Sequence, residues 1–297
     1  HHLEMMPQLN EPINRRINPK NVVSGLLVFS IGLFKKVVIA DTFAIWASRG
    51  FDATEIITLL QAWVTSLSFT LQLYFDFSGY TDMALGSALV FNIRLPENFN
   101  SPYKALNIRD FWRRWHMSLS RFLLDYIYIP LGGNRSGLLR TCINLITTFF
   151  LCGLWHGAGW TFIFWGLLNG IALIVHHFWL KTEFKMHYFF SGALTFLFVN
   201  FAWVFFRADE WKNAVQILTA MLGFNGVGAF ELLPALYILF FLGIVFGAKN
   251  SMQWARQVNT KTEAIYIALF LAFFSLLQLN NFQISNNKTM EFLYFNF

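Results

Sequence analysis

The chain has 297 residues, of which 56% are hydrophobic and only 13% are charged, and its formal net charge is +6. A soluble domain carries about twice that charged fraction, so the composition excludes an ordinary soluble globular protein and indicates lipid as the solvent. The basic residues are scattered among apolar segments, which argues against nucleic-acid binding. Cys142 and Cys152 have no CxxC or Cys/His spacing, which argues against a structural metal site or a disulfide framework.

The first 75 residues contain a polar connector and two apolar segments. Residues 1–21 are polar and proline-containing, so we interpret them as the connector. Residues 22–34 are apolar but short for a span, and Lys35 and Lys36 follow them. We expect a tilted helix there, whose lysines reach a membrane interface. Residues 56–75 have the length and composition of a membrane-spanning helix.

Residues 108–128 have the periodicity of an amphipathic helix, which we expect to lie in or against the membrane interface. At 100° per residue one face is apolar and consists of Ile108, Phe111, Trp112, Trp115, Leu119, Phe122, Leu123 and Tyr126. The opposite face is polar and consists of Arg109, Asp110, Arg113, Arg114, Ser120, Arg121 and Asp125. Pro130 and the Gly132–Gly133 pair end the pattern.

Residues 141–180 contain no Asp, Glu, Lys or Arg, and forty residues suffice for two membrane spans. The sequence HGAGW at 156–160 should interrupt this run, since its glycines favour a turn. Further spans are predicted at about 188–206, 232–247 and 264–279. The prediction is therefore an all-α polytopic membrane protein, with one domain over residues 1–297.

Two histidines are candidates for chemistry. His156 lies inside the charge-free run, where an imidazole must find a partner or water. It is either a histidine that bridges helices by hydrogen bonds or a general base in a water-accessible cavity. His116 lies at the boundary between the two faces of the amphipathic segment, and its spacing alone favours an imidazole wetted by lipid headgroups.

Other polar groups are candidates for substrate binding. Asp76 and Asp82 could form a cation, proton or substrate site, although pairing with a nearby basic group is the interpretation that we favour. Arg113 and Arg114 belong to a basic stripe that contacts lipid headgroups or binds the phosphates of a donor, since arginine binds phosphate bidentately. Tyr126 is included with these substrate-binding candidates.

Several familiar catalytic patterns are absent from the sequence. It contains no Ser-His-Asp order, G-x-S-x-G elbow, Walker loop or G-x-G-x-x-G motif. Their absence argues against a hydrolase, an ATPase or a dinucleotide enzyme. A histidine base without a protein nucleophile fits direct transfer between two bound substrates.

Four long motifs resemble the membrane-bound O-acyltransferase family and occur in that family's order. They are YFDFSGYTDMALGSALVF, LPENFNSPY, FWRRWHMSLSRFLLDYIYIPLGGNR and LWHGAGWTFIFWGLLNG, and the terminal FLYFNF is also similar. The resemblance covers roughly residues 1–297. YIYIPLGGNR is most similar to bacterial proteins that O-acetylate alginate or peptidoglycan. The D-alanyl transferases of teichoic acid share the FW..WHMSLS core but differ around PLGGNR.

The resemblance implies a multi-helix bundle with interfacial or re-entrant helices around a central funnel. It implies acyl transfer from a cytoplasmic thioester, acetyl-CoA as the donor substrate, no resident cofactor or metal, and a multi-pass location in a bacterial inner membrane. The acceptor would be a cell-envelope polysaccharide, reached with a periplasmic or extracellular acetyltransferase partner. By motif position His156 matches the family's main catalytic histidine, and His116 matches the second histidine of the bacterial subgroup.

Three other interpretations remain open from the sequence. D-alanyl transfer to teichoic acid is one of them, and a proton-coupled transporter or flippase is another. HHLEMMPQ resembles a segment that follows several N-terminal helices in the family, so we expect the chain to lack those helices. An inactive truncated chain is the third interpretation.

Overall fold

The computed structural model describes residues 2–257 and 261–286, and every regular element in that part of the chain is helical. The predicted all-α class is therefore confirmed, while the terminal FLYFNF lies outside the described residues. The helices are α1 (His2–Asn10), α2 (Pro19–Phe34), α3 (Asp41–Phe51), α4 (Leu59–Val90), α5 (Ile108–Trp112), α6 (Met117–Leu123), α7 (Leu138–His156), α8 (Trp160–Trp179), α9 (Tyr188–Arg207), α10 (Trp211–Met221), α11 (Leu232–Gly247), α12 (Ser251–Ala255) and α13 (Lys261–Asn286).

Within the described residues, five helical segments are long and apolar enough to cross a membrane. They are Pro19–Phe51, Leu138–His156, Trp160–Trp179, Tyr188–Arg207 and Thr262–Asn280, and Leu232–Gly247 is a shorter apolar helix. The first of these includes α2, a π-helical segment at Lys35–Ala40, and α3. The charge-free run does form two helices, α7 and α8, and the break falls at the glycine-containing turn as predicted.

The chain divides into two compact units. Among the described residues, the first consists of residues 2–44, 71–98, 247–257 and 261–286, and its helices α2, α12 and α13 pack together. The second is built mainly from residues 45–70 and 99–246, with the α7–α8 hairpin beside α9 and α5. Both candidate histidines belong to the second unit.

Glycines bring α2 and α4 into backbone contact in the first unit. A Cβ atom added to Gly32 would lie 2.6 Å from the carbonyl oxygen of Gly79, and one added to Gly25 would lie 2.6 Å from that of Gly86. The two pairs are seven residues apart on each helix, so they repeat on one face. Small residues at such a contact let membrane helices pack closely.

Two predictions for this region are wrong. The expected span at 56–75 does not end at Phe75, because α4 continues to Val90 through Asp76 and Asp82. The lysines at positions 35 and 36 do not reach an interface, because both are buried and ion-paired. The helix can pass through its two aspartates because each carboxylate meets a buried lysine instead of apolar surroundings.

The single amphipathic helix predicted for residues 108–128 is also wrong. The chain forms α5, turns through residues 113–116, forms α6 and ends in a π-helical turn at Leu124–Tyr128. His116 has φ +41° and ψ +57°, a left-handed conformation that cannot continue a right-handed helix. Beyond this break Phe122 and Tyr126 are exposed and stack on each other, whereas Leu123 is buried.

Hydrogen bonds stabilise the turn between α5 and α6. The Ser120 hydroxyl donates to the carbonyl oxygens of Trp112 and Trp115, at 2.8 and 3.3 Å. The Asn100 backbone N–H donates to the Arg114 carbonyl oxygen at 2.9 Å. In a continuous helix these carbonyl oxygens would accept hydrogen bonds from backbone N–H groups of the next turn. Here they accept hydrogen bonds from the Ser120 hydroxyl and the Asn100 backbone instead.

Candidate active site

His156 is the last residue of α7, where the charge-free run turns back on itself. The Gly157 backbone N–H donates to the Gly153 carbonyl oxygen at 3.2 Å, and α8 begins three residues later at Trp160. A Cβ atom added to Gly157 would lie 2.6 Å from the Phe162 ring, so the turn favours a residue without a side chain at this position. The imidazole is half-buried at the end of the helix.

Close packing of the α7–α8 hairpin fixes the position of His156. A Cβ atom added to Gly153 would lie 2.4 Å from the Phe162 carbonyl oxygen, and one added to Gly166 would lie 2.3 Å from that of Phe149. These backbone contacts leave no room for a side chain, as at other glycine contacts between membrane helices. The hairpin is thus a closely packed support for the histidine at its turn.

Aromatic rings surround the His156 imidazole. The ring centroids of Trp155, Trp165 and Phe206 lie 4.7, 5.3 and 5.0 Å from its centroid, each nearly perpendicular to it. Residues from α7, α8 and α9 therefore contribute to one aromatic cage. Edge-to-face contacts of this kind restrict the orientation of the rings involved, so the cage holds the imidazole in a defined direction.

His116 lies near this cage. Its side chain is buried, with 9% of the residue exposed, and its Nδ1 atom lies 3.3 Å from the Ser118 hydroxyl. The two imidazoles are close enough to interact electrostatically. Burial lowers the pKa of His116 to about 4, so its imidazole is neutral near pH 7. The interpretation of a headgroup-wetted His116 is wrong, because the turn after α5 places it inside the second unit.

Two tryptophans anchor the segment that carries His116. The Trp112 indole N–H donates to the Asn169 side-chain oxygen at 3.1 Å, and its ring packs against Trp165 of the cage. The Trp115 ring lies 5.0 Å from the Trp203 ring. The first half of the predicted interfacial helix is therefore held among α7, α8 and α9. The sequence patterns did not lead us to predict this role for Asn169, although an amide side chain within a charge-free run indicates such an anchor.

The two candidate arginines have different surroundings. The Arg114 Nε atom donates to an Asp110 carboxylate oxygen at 2.9 Å, and its guanidinium also donates to the Asn100 carbonyl oxygen at 3.4 Å. Arg114 therefore stabilises the turn, whereas Arg113 is exposed. Tyr126 is 71% exposed. No contact described for Arg113 or Tyr126 joins either residue to the two histidines.

Asp76 and Asp82 belong to the first unit and pair with lysines. The Lys36 ammonium lies 2.7 Å from Asp76 Oδ1, and the Lys35 ammonium lies 2.7 Å from Asp82 Oδ2. This is the pairing that the sequence interpretation favoured. A role of Asp76 and Asp82 in substrate binding stays a prediction.

Replacing His116 should separate the role of its backbone from that of its imidazole. Asparagine tolerates the left-handed conformation, so we expect His116→Asn to fold while His116→Ala is less stable. An unfolded histidine takes up a proton near pH 6.5, whereas folded His116 does so near pH 4. The stability due to neutral His116 is thus complete above pH 6.5 and declines as the pH falls toward 4.

The measurement is the unfolding temperature of the wild-type protein and of His116→Asn between pH 4 and pH 7. We expect the wild-type value to fall more steeply on acidification. Parallel curves for the two proteins would contradict the buried, neutral state of His116.

Comparison with known proteins gives a consistent set of relatives. A model of the membrane-bound O-acyltransferase family matches residues 1–208. A peptidoglycan O-acetyltransferase of Helicobacter pylori is 58% identical, over 76% of this chain and 44% of the relative. A probable alginate O-acetylase AlgI of Pseudomonas putida is 38% identical, over 99% of this chain and 64% of the relative.

A teichoic acid D-alanyltransferase of Bacillus subtilis is more distant. It is 29% identical, over 64% of this chain and 52% of the relative. The matches therefore span between 44% and 64% of the length of these curated relatives.

Proposed function

The chain belongs to the membrane-bound O-acyltransferase family, and from this premise we propose that it transfers an acetyl group from a thioester donor toward hydroxyls of a cell-envelope polysaccharide. The observation that carries the proposal is the position of His156, which ends α7 inside a cage of aromatic rings with His116 nearby. Relatives that act on peptidoglycan or alginate support acetyl as the transferred group.

In the proposed mechanism His156 is the general base. It removes the proton of the acceptor hydroxyl while the hydroxyl oxygen attacks the acetyl carbonyl carbon. The new carbon–oxygen bond forms, the carbon–sulfur bond breaks, and the proton passes from His156 to the departing thiolate. A positioned base of this kind contributes roughly 10²–10⁴-fold in rate.

His116 would position a substrate by hydrogen bonding. Its imidazole is neutral near pH 7 and is held by a backbone turn with its own hydrogen bonds. A neutral imidazole has one donor and one acceptor nitrogen, so it can orient a hydroxyl or a carbonyl without adding charge. We therefore assign His116 a positioning role in the transfer.

The donor that we propose is acetyl-CoA, whose phosphates would be recognised by exposed basic residues. Arg113 is the better candidate of the two arginines, since its guanidinium is exposed while that of Arg114 is hydrogen-bonded within the turn. Asp76, Asp82 and Tyr126 remain weaker candidates for substrate contact. The transfer itself calls for no resident cofactor or metal.

Arg113→Gln should raise the KM for acetyl-CoA roughly 10-fold and change kcat less. The reason is that a contact with the donor phosphates stabilises the bound donor and the transition state equally, so its loss weakens donor binding without slowing the chemical step. Arg113→Lys should recover part of the loss, since a lysine lacks the bidentate fork. Steady-state kinetics in proteoliposomes measure both constants. Arg16→Gln, another exposed arginine, is the matched control. An unchanged KM with poorer membrane integration would make Arg113 a lipid anchor.

The acceptor that we propose is of the peptidoglycan or alginate type, and the higher identity to the Helicobacter relative favours peptidoglycan. A partner acetyltransferase on the far side of the membrane would deliver the acetyl group to the polymer. The five apolar helices make the chain a multi-pass membrane protein, and we place it in the bacterial inner membrane.

The experiment that tests the proposed function uses proteoliposomes supplied with acetyl-CoA or with a D-alanyl thioester. An acetyltransferase consumes acetyl-CoA and forms an acetyl ester on an added hydroxyl acceptor. A D-alanyl transferase would form its ester only from the D-alanyl donor. Movement of an anion across the membrane without thioester cleavage would instead identify a transporter and overturn the proposal.

A further inference from the structure

The α7–α8 hairpin of the second unit has two ends that differ in charge. Its turn end contains His156, and at its open end α7 begins at Leu138 and α8 ends at Trp179. α7 has 19 residues and is therefore about 28 Å long, close to the roughly 30 Å thickness of the hydrocarbon core of a bilayer. The two ends of the hairpin can therefore meet the two surfaces of a membrane.

The open end carries exposed cations from three parts of the second unit. α5 packs along α8 through the hydrogen bond between Trp112 and Asn169. One turn earlier on α5, Arg109 interacts electrostatically with His176 in the last turn of α8, so Arg109 belongs to the same end. Two arginines lie around the start of α7, and two lysines follow α8. The five exposed cations of the open end are Arg109, Arg135, Arg140, Lys181 and Lys185.

These five cations have little compensation within the protein. None of them lies within ion-pair distance of a carboxylate in the described part of the chain. Asp110, which follows Arg109, is already paired with Arg114. Two further carboxylates near these segments, Asp125 and Glu183, are outnumbered by the five cations. The open end therefore has a net positive charge.

The turn end is acidic by contrast. Arg207, which follows the cage residue Phe206, pairs with Asp52. Arg49 of α3 pairs with Glu231. Apart from these two pairs, the segments at this end contain one exposed cation and three exposed carboxylates, which are Lys212, Glu55, Asp209 and Glu210. A difference of this kind orients membrane segments, since Lys and Arg concentrate in the short loops on the cytoplasmic side.

Exposed aromatic rings lie beside the cations of the open end. Phe178 and Trp179 end α8, and the Trp179 ring packs against Phe184 with 5.4 Å between the centroids. The Lys181 ammonium lies 5.7 Å from the centroid of the Phe178 ring. Aromatic side chains are enriched at the level of lipid headgroups, and a lysine there can bury its stem while its ammonium stays in water. The open end thus combines a headgroup-binding charge with an interfacial apolar surface.

We propose that the basic open end of the α7–α8 hairpin binds anionic phospholipid headgroups of the cytoplasmic leaflet. The lipid phosphate supplies the negative charge that the five cations lack within the protein, and the acyl chains of the same lipid contact the exposed rings. A free phosphate would use the cations alone. This binding orients the second unit, with the turn that contains His156 toward the opposite side of the membrane. The inference does not depend on the proposed transfer reaction.

The first experiment titrates the detergent-solubilised protein with dioleoylphosphatidylglycerol and follows its unfolding temperature. Removing one cation near an anionic lipid surface weakens binding roughly fivefold. Arg135→Gln/Lys181→Gln should therefore raise the lipid concentration at half-maximal stabilisation roughly 25-fold. Arg49→Gln/Lys212→Gln removes the same charge at the turn end, more than a Debye length away, and should leave that concentration within about twofold.

Two further additives separate the partners that could occupy the open end. Dioleoylphosphatidylcholine has the same acyl chains without a net charge, so it should stabilise the wild type less and should not distinguish the two double variants. Equal stabilisation by the two lipids, or equal shifts in the two double variants, would overturn the proposal. Inorganic phosphate that removes the further effect of phosphatidylglycerol would identify a site for free anions and would overturn it as well.

A substituted cysteine tests the orientation. Thr182→Cys, between α8 and α9, should react with a membrane-impermeant maleimide only after spheroplasts are opened, because the open end faces the cytoplasm. Asp209→Cys, at the turn end, should react in intact spheroplasts, since that side chain is 81% exposed. The unsubstituted chain, with its own Cys142 and Cys152, is the blank. Labelling of Thr182→Cys in intact spheroplasts would place the basic end outside the cytoplasm and overturn the proposal.

Discussion

His156→Gln should reduce kcat for acetyl transfer by roughly 10²–10⁴-fold while leaving expression and membrane insertion near normal. Glutamine keeps hydrogen-bonding capacity but cannot act as a base near neutral pH. The rings of Trp155, Trp165 and Phe206 still enclose the position, so the substitution should not open the hairpin. Initial rates in proteoliposomes, normalised to folded protein, measure the effect.

A purely structural histidine predicts a different pattern. Removing its ring would cost about 1–3 kcal/mol of stability by leaving a hydrogen-bonding partner unsatisfied, and the folded fraction would keep its activity. His177→Gln is the matched control, because His177 also lies on the hairpin but near the far end of α8. A folded His156→Gln protein with normal activity would remove His156 from the mechanism.

Gly166→Ala should destabilise the protein by about 3 kcal/mol, at the upper end of the range for overpacking. The added Cβ would lie 2.3 Å from the Phe149 carbonyl oxygen, and a backbone atom cannot rotate away as a flexible side chain could. This cost outweighs the roughly 1 kcal/mol by which alanine favours a helix over glycine. Thermal unfolding of the solubilised protein measures the change, and activity should fall with the folded fraction.

Gly243→Ala on α11 is the control for this prediction. A Cβ added there meets no atom within 4 Å, so only the helix preference of alanine acts, and stability should stay equal or rise by up to about 1 kcal/mol. Equal effects of the two substitutions would mean that α7 and α8 do not pack through their glycines, and that the position of His156 does not depend on that contact.

The parts of the fold that could be predicted are those that local sequence determines. α7, α8 and α9 follow from apolar runs of the right length, and the turn after His156 follows from glycine within a charge-free run. The same local signal identified His156 as a candidate. Lipid leaves few structures available to such a run, since backbone groups must be hydrogen-bonded within the segment.

The errors arose where distant residues decide the structure. Lys35 is buried because it meets Asp82, which is 47 positions away, and Trp112 is buried because it meets Asn169, 57 positions away. A helical wheel assumes an unbroken helix, so it placed Trp112 and Tyr126 on one apolar face, although the left-handed His116 breaks the helix between them. Pairing across helices and a single unusual backbone conformation have no periodic signal in the sequence.

The most direct test of the central claim is transfer of a labelled acetyl group from acetyl-CoA to a hydroxyl acceptor, measured in proteoliposomes with the wild-type and His156→Gln proteins side by side. We predict that the wild type forms a labelled, base-labile ester and that the folded variant forms at most about one hundredth as much in the same time. Equal amounts of ester from both proteins, or no ester from the wild type with both substrates present, would contradict an acetyltransferase that uses His156 as its base.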